Sequence, residues 1–339
     1  MLIGAVLQEL CMAPGVGGMT EASTCAAEML RPYCDTVDTD AMGNVIAWRK
    51  GKREGLPTVM LEAHIDEIGF VVTGMDDRGF VKVSNCGGVD NRVLTASEVT
   101  VYGKAPYAGL FCSVPPHLGG GDLPAVKDRG IDVGMTAEQA KECIPVGSPV
   151  SFRKAYKPML GTRVCAASLD DRAGVATVLY CLELLKDEEL PVNVAVLFSV
   201  QEELGTRGAA SATFAINPQV AVSVDVSFAA SAVESSAATA KLGKGPMVGM
   251  SPSLNVEISR KLVALAKEQN IPFQYEGMGG STGTNADKIG VVRGGVMTAL
   301  LSVPLRYMHT PVEVADIADI ENTARLMAAF VKEGSGDVC

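Results

Sequence analysis

Apolar and polar positions along the chain follow two rhythms, one helical and one extended. Residues 2–11 read as a helix, which the loop from Pro14 to Gly18 breaks, and Thr20 then stands as N-cap for a helix running to about Leu30. A turn at Gly43–Asn44 precedes a short strand. The run PTVMLEAHIDEIGF predicts a buried strand ending near His64. Such helix–strand alternation predicts an α/β fold, a central sheet with helices on both faces.

From about Val71 the texture changes. Short β-branched runs (FVKVSN, SEVTVYG, PVSFRK) alternate with Gly and Pro clusters such as VPPHLGGGDLP, and only Thr136 to Cys143 predicts a short helix. That pattern predicts a small β-barrel or sandwich. Residues 71–161 therefore read as a β-rich domain inserted into an α/β domain formed by residues 1–70 and 162–339.

After the insert, Asp171 to Lys186 predicts an amphipathic helix, VNVAVLFSV and QVAVSVDVSF predict strands, and Leu254 to Gln269 predicts a helix. Strands at PFQYEG and GGVMTALLSVPL and a closing helix from Ile317 to Lys332 complete the pattern. The small, polar stretch SAVESSAATAKLGKGP predicts a surface loop.

Composition narrows the function classes. The 339 residues carry a formal net charge of -10, which argues against nucleic acid or an anionic membrane as the main partner. Nine cysteines without a CxxC pair give no zinc-ribbon or thioredoxin spacing. Cys11, Cys25 and Cys181 fall in helical segments as free thiols, which favours a reducing cytoplasm. The N-terminus is apolar without a cationic start, so it reads as a helix and not a signal peptide, and no apolar run reaches membrane-spanning length.

Histidine is scarce, and two of the three sit in acidic, strand-like contexts nearly the whole chain apart. His64 and Asp66 are two apart at a strand end, so the Asp66 carboxylate can hydrogen-bond one imidazole nitrogen while the other binds a metal. In SLDDRAG, Asp171 has the bland use of capping a helix; Asp170 has none, and a carboxylate there can bridge two cations. Two adjacent glutamates, Glu202 and Glu203, end the most apolar strand and point differently, so one can ligate while the other takes a proton from water. Asp225 interrupts the apolar run VAVSVDVSF, where an ionised carboxylate must be paired or coordinated. His309 follows VPLRY at a strand-to-turn junction. Taken singly, each has a structural reading. Together, His64, Asp170, Glu203, Asp225 and His309 suit two divalent ions with one bridging acid, leaving Glu202 as a base. His117 lies in the insert and reads as a surface or interface residue, and GGSTGTNADKIG as a substrate-side loop without phosphate-binding spacing.

With PGVGG, EAHIDEIGF, PPHL, SLDDRAG, QEELGTRGA, SVDVS and LRYMHTP in this order, the chain resembles the tetrahedral (glutamyl) aminopeptidases, clan MH metallopeptidases with two metal ions. The resemblance implies a zinc-peptidase-like mixed sheet flanked by helices, with a PDZ-like or barrel-like dimerisation insert. It implies Asp170 as the bridging carboxylate, His64 and Asp225 completing one metal site and Glu203 and His309 the other. Glu202 would be the general base and Asp66 the partner of His64. It further implies zinc or cobalt, with manganese also fitting the donors, and dimers assembling into a dodecamer that trims the N-terminal residue of short peptides. Two positions depart from the family pattern: Asn285 stands where an Asp is expected in a GTDA-like run, and Thr310 where Ser is commoner. The rival readings are another dinuclear hydrolase (dipeptidase, carboxypeptidase or deacylase), an endoglucanase-type glycosidase using Glu202 without metal, and a non-catalytic assembly protein.

Overall fold

The most apolar runs of the sequence lie side by side at the centre of the molecule. The computed structural model describes residues 2–115, 117–119, 123–233 and 239–334. Helices α1 (Ile3–Met12) and α2 (Glu21–Leu30) lead into strands β1 (Thr36–Thr39), β2 (Val45–Arg49) and β3 (Thr58–His64). Then come β4 (Gly69–Met75), β5 (Val81–Cys86), β6 (Glu98–Tyr102), β7 (Pro106–Phe111), β8 (Ile131–Asp132), helix α3 (Ala137–Cys143) and β9 (Pro149–Phe152). Two strands, β10 (Tyr156–Pro158) and β11 (Arg163–Ala166), precede helix α4 (Leu169–Leu185), strand β12 (Asn193–Ser199), helix α5 (Arg207–Ile216) and strand β13 (Val220–Phe228). The chain closes with β14 (Met247–Met250), α6 (Val256–Glu268), β15 (Gln274–Gly277), α7 (Ala286–Ile289), β16 (Met297–Arg306), β17 (Glu313–Asp316) and α8 (Ile317–Glu333).

The main sheet runs β1-β2-β12-β3-β13-β16-β17-β11-β10, with β14 joined to β16 and β15 to β14. Its centre is parallel: β12 pairs with β3, β3 with β13 and β13 with β16, so their carboxyl ends share one edge. Parallel strands covered on both faces need apolar residues on both, and every residue of β13 from Val220 to Ser227 is buried. Val220, Val222, Val224 and Val226 enter the larger core, shared with α1, α4, α6 and α8. Ala221 on the opposite face joins Met60, Leu197 and the apolar side of α5.

Helix α4 differs from expectation. Its segment reads as amphipathic, yet it is buried on nearly every side because it lies between the sheet and helices α1 and α8. Ala173, Gly174 and Ala176 are small enough for that close packing. Thr136 caps α3 in a full capping box with Gln139, whereas Thr20 makes no side-chain cap at α2. Within 231–246, read as a surface loop, residues 234–238 lie outside the described ones. Beside them Ala240 bridges to Ala229, and Leu242 and Pro246 are buried.

The β-rich stretch closes into a barrel in the order β4-β5-β8-β7-β6-β9. Its strands span Gly69 to Phe152, while β10, whose residues fall inside the stretch 71–161, hydrogen-bonds to β11 in the main sheet. Pairing decides this: Tyr156 to Pro158 have their partners at Val164 to Ala166. Phe70 is fully buried in the barrel core, with its ring centroid 5.0 Å from Phe111 and 5.6 Å from Phe152, both edge-on. Phe70→Ala is expected to destabilise the protein by about 3–5 kcal/mol, read by urea unfolding. A loss below about 1 kcal/mol would show that the three rings do not organise the barrel.

Candidate metal centre and active site

The shared edge of the parallel strands gathers the residues that the sequence singles out. His64 ends β3, Glu202 and Glu203 follow β12, Asp225 lies near the end of β13, and His309 lies in the turn after β16. Asp170 comes at the start of α4, just past β11, which is antiparallel to β17 and so runs in the same direction as β16. Asp171, next to it, caps the regular part of α4 by accepting the Gly174 N–H at 2.8 Å, the bland use its position suggests.

Asp170 is the meeting point. Its Oδ1 lies 3.0 Å from His64 Nε2 and its Oδ2 lies 3.3 Å from His309 Nε2, so each oxygen of one carboxylate faces a different imidazole. His309 Nε2 is also 3.3 Å from Glu203 Oε1, and His64 Nε2 is 3.9 Å from Asp225 Oδ1. Donor atoms fall into three clusters within 4.8 Å: Asp170 with Glu203 and His309, His64 with Asp171 and Asp225, and His64 with Glu202 and Glu203. Asp171 enters this geometry although the sequence suggests only a cap for it, and its buried Oδ2 has no hydrogen-bond partner.

Asp66 lies beside His64 and does a second job that the sequence does not show. Its carboxylate accepts the backbone N–H of Glu202 at 3.0 Å and of Glu203 at 3.2 Å, which fixes the glutamate pair. His64 Nδ1 approaches the Asp66 backbone oxygen at 3.2 Å and its Oδ1 at 3.6 Å. Glu313 plays a similar part that the sequence reading missed, accepting the Asp170 N–H at 3.2 Å and the His309 N–H at 2.9 Å. Glu67, also missed, is buried and joins the Gly15 N–H at 2.8 Å to Lys154 and Ser168, so it braces the Pro14–Gly18 loop against the Asp170 turn. From the barrel side, a Cβ at Gly88 would lie 3.0 Å from His309 Nδ1, and one at Gly87 3.1 Å from Glu203 Oε2. Glycine is needed there because the barrel loop presses directly on the cluster. Asn285, in the loop read as substrate-side, is buried and hydrogen-bonds to Glu62 and Ser199.

The electrostatics are those of too many acids in one dry place. Burial pushes the Asp225 and Asp171 carboxyls well above their usual range, and the charges of neighbouring carboxylates push further. Burial also lifts Glu202 to about 7; the His64 charge opposes this, and the charges of Glu203, Asp66 and Asp170 add to it. Hydrogen bonds that His309 donates to Asp170 and Glu203 raise it to about 11. Burial by itself would lower His64, but hydrogen bonds to Asp170 and Asp66 hold it well above its usual range. The protein by itself therefore compensates its carboxylates with protons. Divalent cations do the same with greater charge, and a mixed imidazole and carboxylate set with an orphaned buried oxygen fits them.

Clustered histidines and carboxylates at the strand ends of such a sheet define a metal-dependent hydrolase. Comparison with known proteins narrows the class. The family model described as M42 glutamyl aminopeptidase matches residues 43–326, and the chain belongs to that family. It is thus a peptidase hydrolase, an aminopeptidase that depends on divalent metal and releases the N-terminal residue of short peptides. A lysyl aminopeptidase of Pyrococcus furiosus is 33% identical, covering 97% of this chain and 96% of its own length. The solved aminopeptidase of Desulfurococcus kamchatkensis matches with a TM-score of 0.92 and 31% identity, over 98% of this chain and 95% of that one. The TET1 peptidase of Pyrococcus horikoshii, described as assembling into a tetrahedron or a large octahedral shell, has a TM-score of 0.85 at 30% identity, over 98% and 99%. Among the described residues, no helix is long and apolar enough to cross a membrane.

A cation that binds this cluster in the folded state alone would stabilise the fold by mass action. Adding Zn²⁺ or Co²⁺ to chelator-stripped protein, at about a hundred times its dissociation constant, is expected to raise Tm by about 5 °C or more in a thermal scan. An unchanged Tm in saturating metal would remove these side chains from the role of cation site.

Proposed function

We propose that the aminopeptidase reaction runs on a pair of divalent ions held around Asp170. Asp170 would bridge them, with His64 and Asp225 completing one site and Glu203 and His309 the other. The observation that carries this reading is the approach of the two imidazoles to opposite oxygens of one buried carboxylate, at 3.0 and 3.3 Å. Zinc and cobalt suit this nitrogen and oxygen set, as does manganese. When bound, such ions supply the charge that makes water acidic enough to deprotonate near neutral pH and that polarises the scissile carbonyl.

The protein's own groups do the rest. Glu202, adjacent to the Glu203 ligand and anchored through its N–H to Asp66, takes the proton from the attacking water and delivers it to the leaving amine. Asp66 and Glu313 hold the ligand-bearing backbone in place, so the donors need little rearrangement during the reaction. A free α-amine on the substrate sits beside the surplus carboxylate charge, which favours an N-terminal residue over an internal one.

In this reading the barrel, whose strands span Gly69 to Phe152, is the domain through which chains pair, and the remainder of the chain, β10 included, forms the catalytic domain. The dodecamer described for PhTET1-12s and the tetrahedron described for the Pyrococcus horikoshii peptidase support a dodecamer, built from such dimers, for this chain. Free thiols, eight among the described residues, support a cytoplasmic location.

Glu202→Gln is expected to leave metal content at the wild-type level while lowering kcat on free-amine aminoacyl anilides by about a hundredfold or more. N-acetylated versions of the same substrates are expected to be resistant to the wild-type enzyme. Retained turnover in the variant would remove Glu202 as the base, and hydrolysis of the blocked substrates would point to a deacylase or endopeptidase.

A further inference from the structure

A second buried acid stands behind the metal centre and takes no part in the reaction above. Glu62 lies two residues before His64 on β3, on the same face of the strand, and it is fully buried. Its Oε1 accepts from Ser199 Oγ at 2.7 Å and from Asn285 Nδ2 at 2.7 Å, and its Oε2 accepts from Ser223 Oγ at 2.5 Å. Asn285 Nδ2 donates in addition to Ser199 Oγ at 2.9 Å. The Oδ1 of Asn285 is buried without a partner, so its amide is oriented by these donations alone.

Three of the four segments joined here lead to the candidate centre, and the fourth, the α7 loop, is tied to them through Asn285. Ser199 pairs with His64 across the sheet and is three residues before Glu202. Ser223 pairs with Glu62 and precedes Asp225 on the same face of β13. Asn285 heads α7, at the end of a loop organised by Asp287, which accepts the N–H groups of Thr282 and Gly283. One acceptor-only group thus collects three donors from three different segments, one residue pair beneath the ligands.

We propose that Glu62 is a positioning residue for the metal centre, holding β3, β12, β13 and the α7 loop in register through Ser199, Ser223 and Asn285. The proposal rests on the two-metal reading of the site. The clasp depends on polarity: the strand supplies the acceptor and the loop supplies the donor. A carboxylate at 285 has no Nδ2 to offer, and it faces the Glu62 carboxylate with acceptors on both sides. Reversing both partners restores the match, because an amide at 62 donates to a carboxylate at 285 while still accepting from Ser223.

The test compares wild type, Asn285→Asp, and the double variant Glu62→Gln with Asn285→Asp. Zn²⁺ affinity of stripped protein is measured by calorimetry, and kcat and KM with aminoacyl anilides. The single variant is expected to weaken metal binding and lower kcat by about tenfold each, with KM changed by less than about threefold. The double variant is expected to recover both to within about threefold of wild type. If Asn285→Asp fails to fold, Ser223→Ala removes one donor and is expected to weaken metal binding by about fivefold. The proposal is overturned if the double variant is no better than Asn285→Asp, or if the folded variants keep wild-type metal affinity and kcat while only Tm falls. Metal affinities that follow this pattern in a wild-type protein inert toward free-amine substrates would uphold the clasp and sink the reaction proposed for the site.

Discussion

Every part of the catalytic end of this protein answers to one constraint, the charge of carboxylates removed from water. Asp170, Asp171, Glu203 and Asp225 meet within a few ångströms of two imidazoles, and an isolated carboxylate in such a place is strongly disfavoured. The two histidines compensate part of the charge, which is why both are held above their usual range. Divalent cations compensate it more fully. The same surplus of charge suits the cluster to highly charged ions bound through nitrogen and oxygen.

Geometry follows from the parallel sheet. Parallel strands bring their carboxyl ends to one edge, so residues from 64 to 309 can meet without any long excursion of the chain. The apolar stretches behind that edge keep the strands rigid. The ligands are then oriented through backbone groups: Asp66 accepts from the Glu202–Glu203 segment, and Glu313 accepts from both Asp170 and His309. These two acids hold the main chain of the candidate ligands, whose side chains stay free to face the ions proposed for the site.

The barrel is more than an appendage to this arrangement. The Gly87–Gly88 segment after β5 lies against Glu203 and His309, and Lys154, just after β9, meets Glu67 beneath the Asp170 turn. A pairing surface on the barrel would therefore be mechanically close to the catalytic cluster, linked by two glycines on one side and a buried ion pair on the other.

Much of this was legible in the residues alone. Apolar runs of strand length located β3, β12, β13 and β16, and an acid or histidine at the end of each marked the active edge, because such groups are out of place beside buried strands. Asp225 was readable as an anomaly inside an apolar run, and Glu62 and Glu313 carried the same signal, Glu62 in VMLEAH and Glu313 in PVEVAD. What sequence could not decide was which partner each polar group takes. That Asp66 also holds two backbone N–H groups, and that α4 shows almost no face to solvent, depend on contacts between residues a hundred or more positions apart, and β10 joins the sheet because its neighbour β11 pairs with the distant β17. Local pattern reports how a residue sits on its own strand or helix, and only the packed fold determines what stands opposite it.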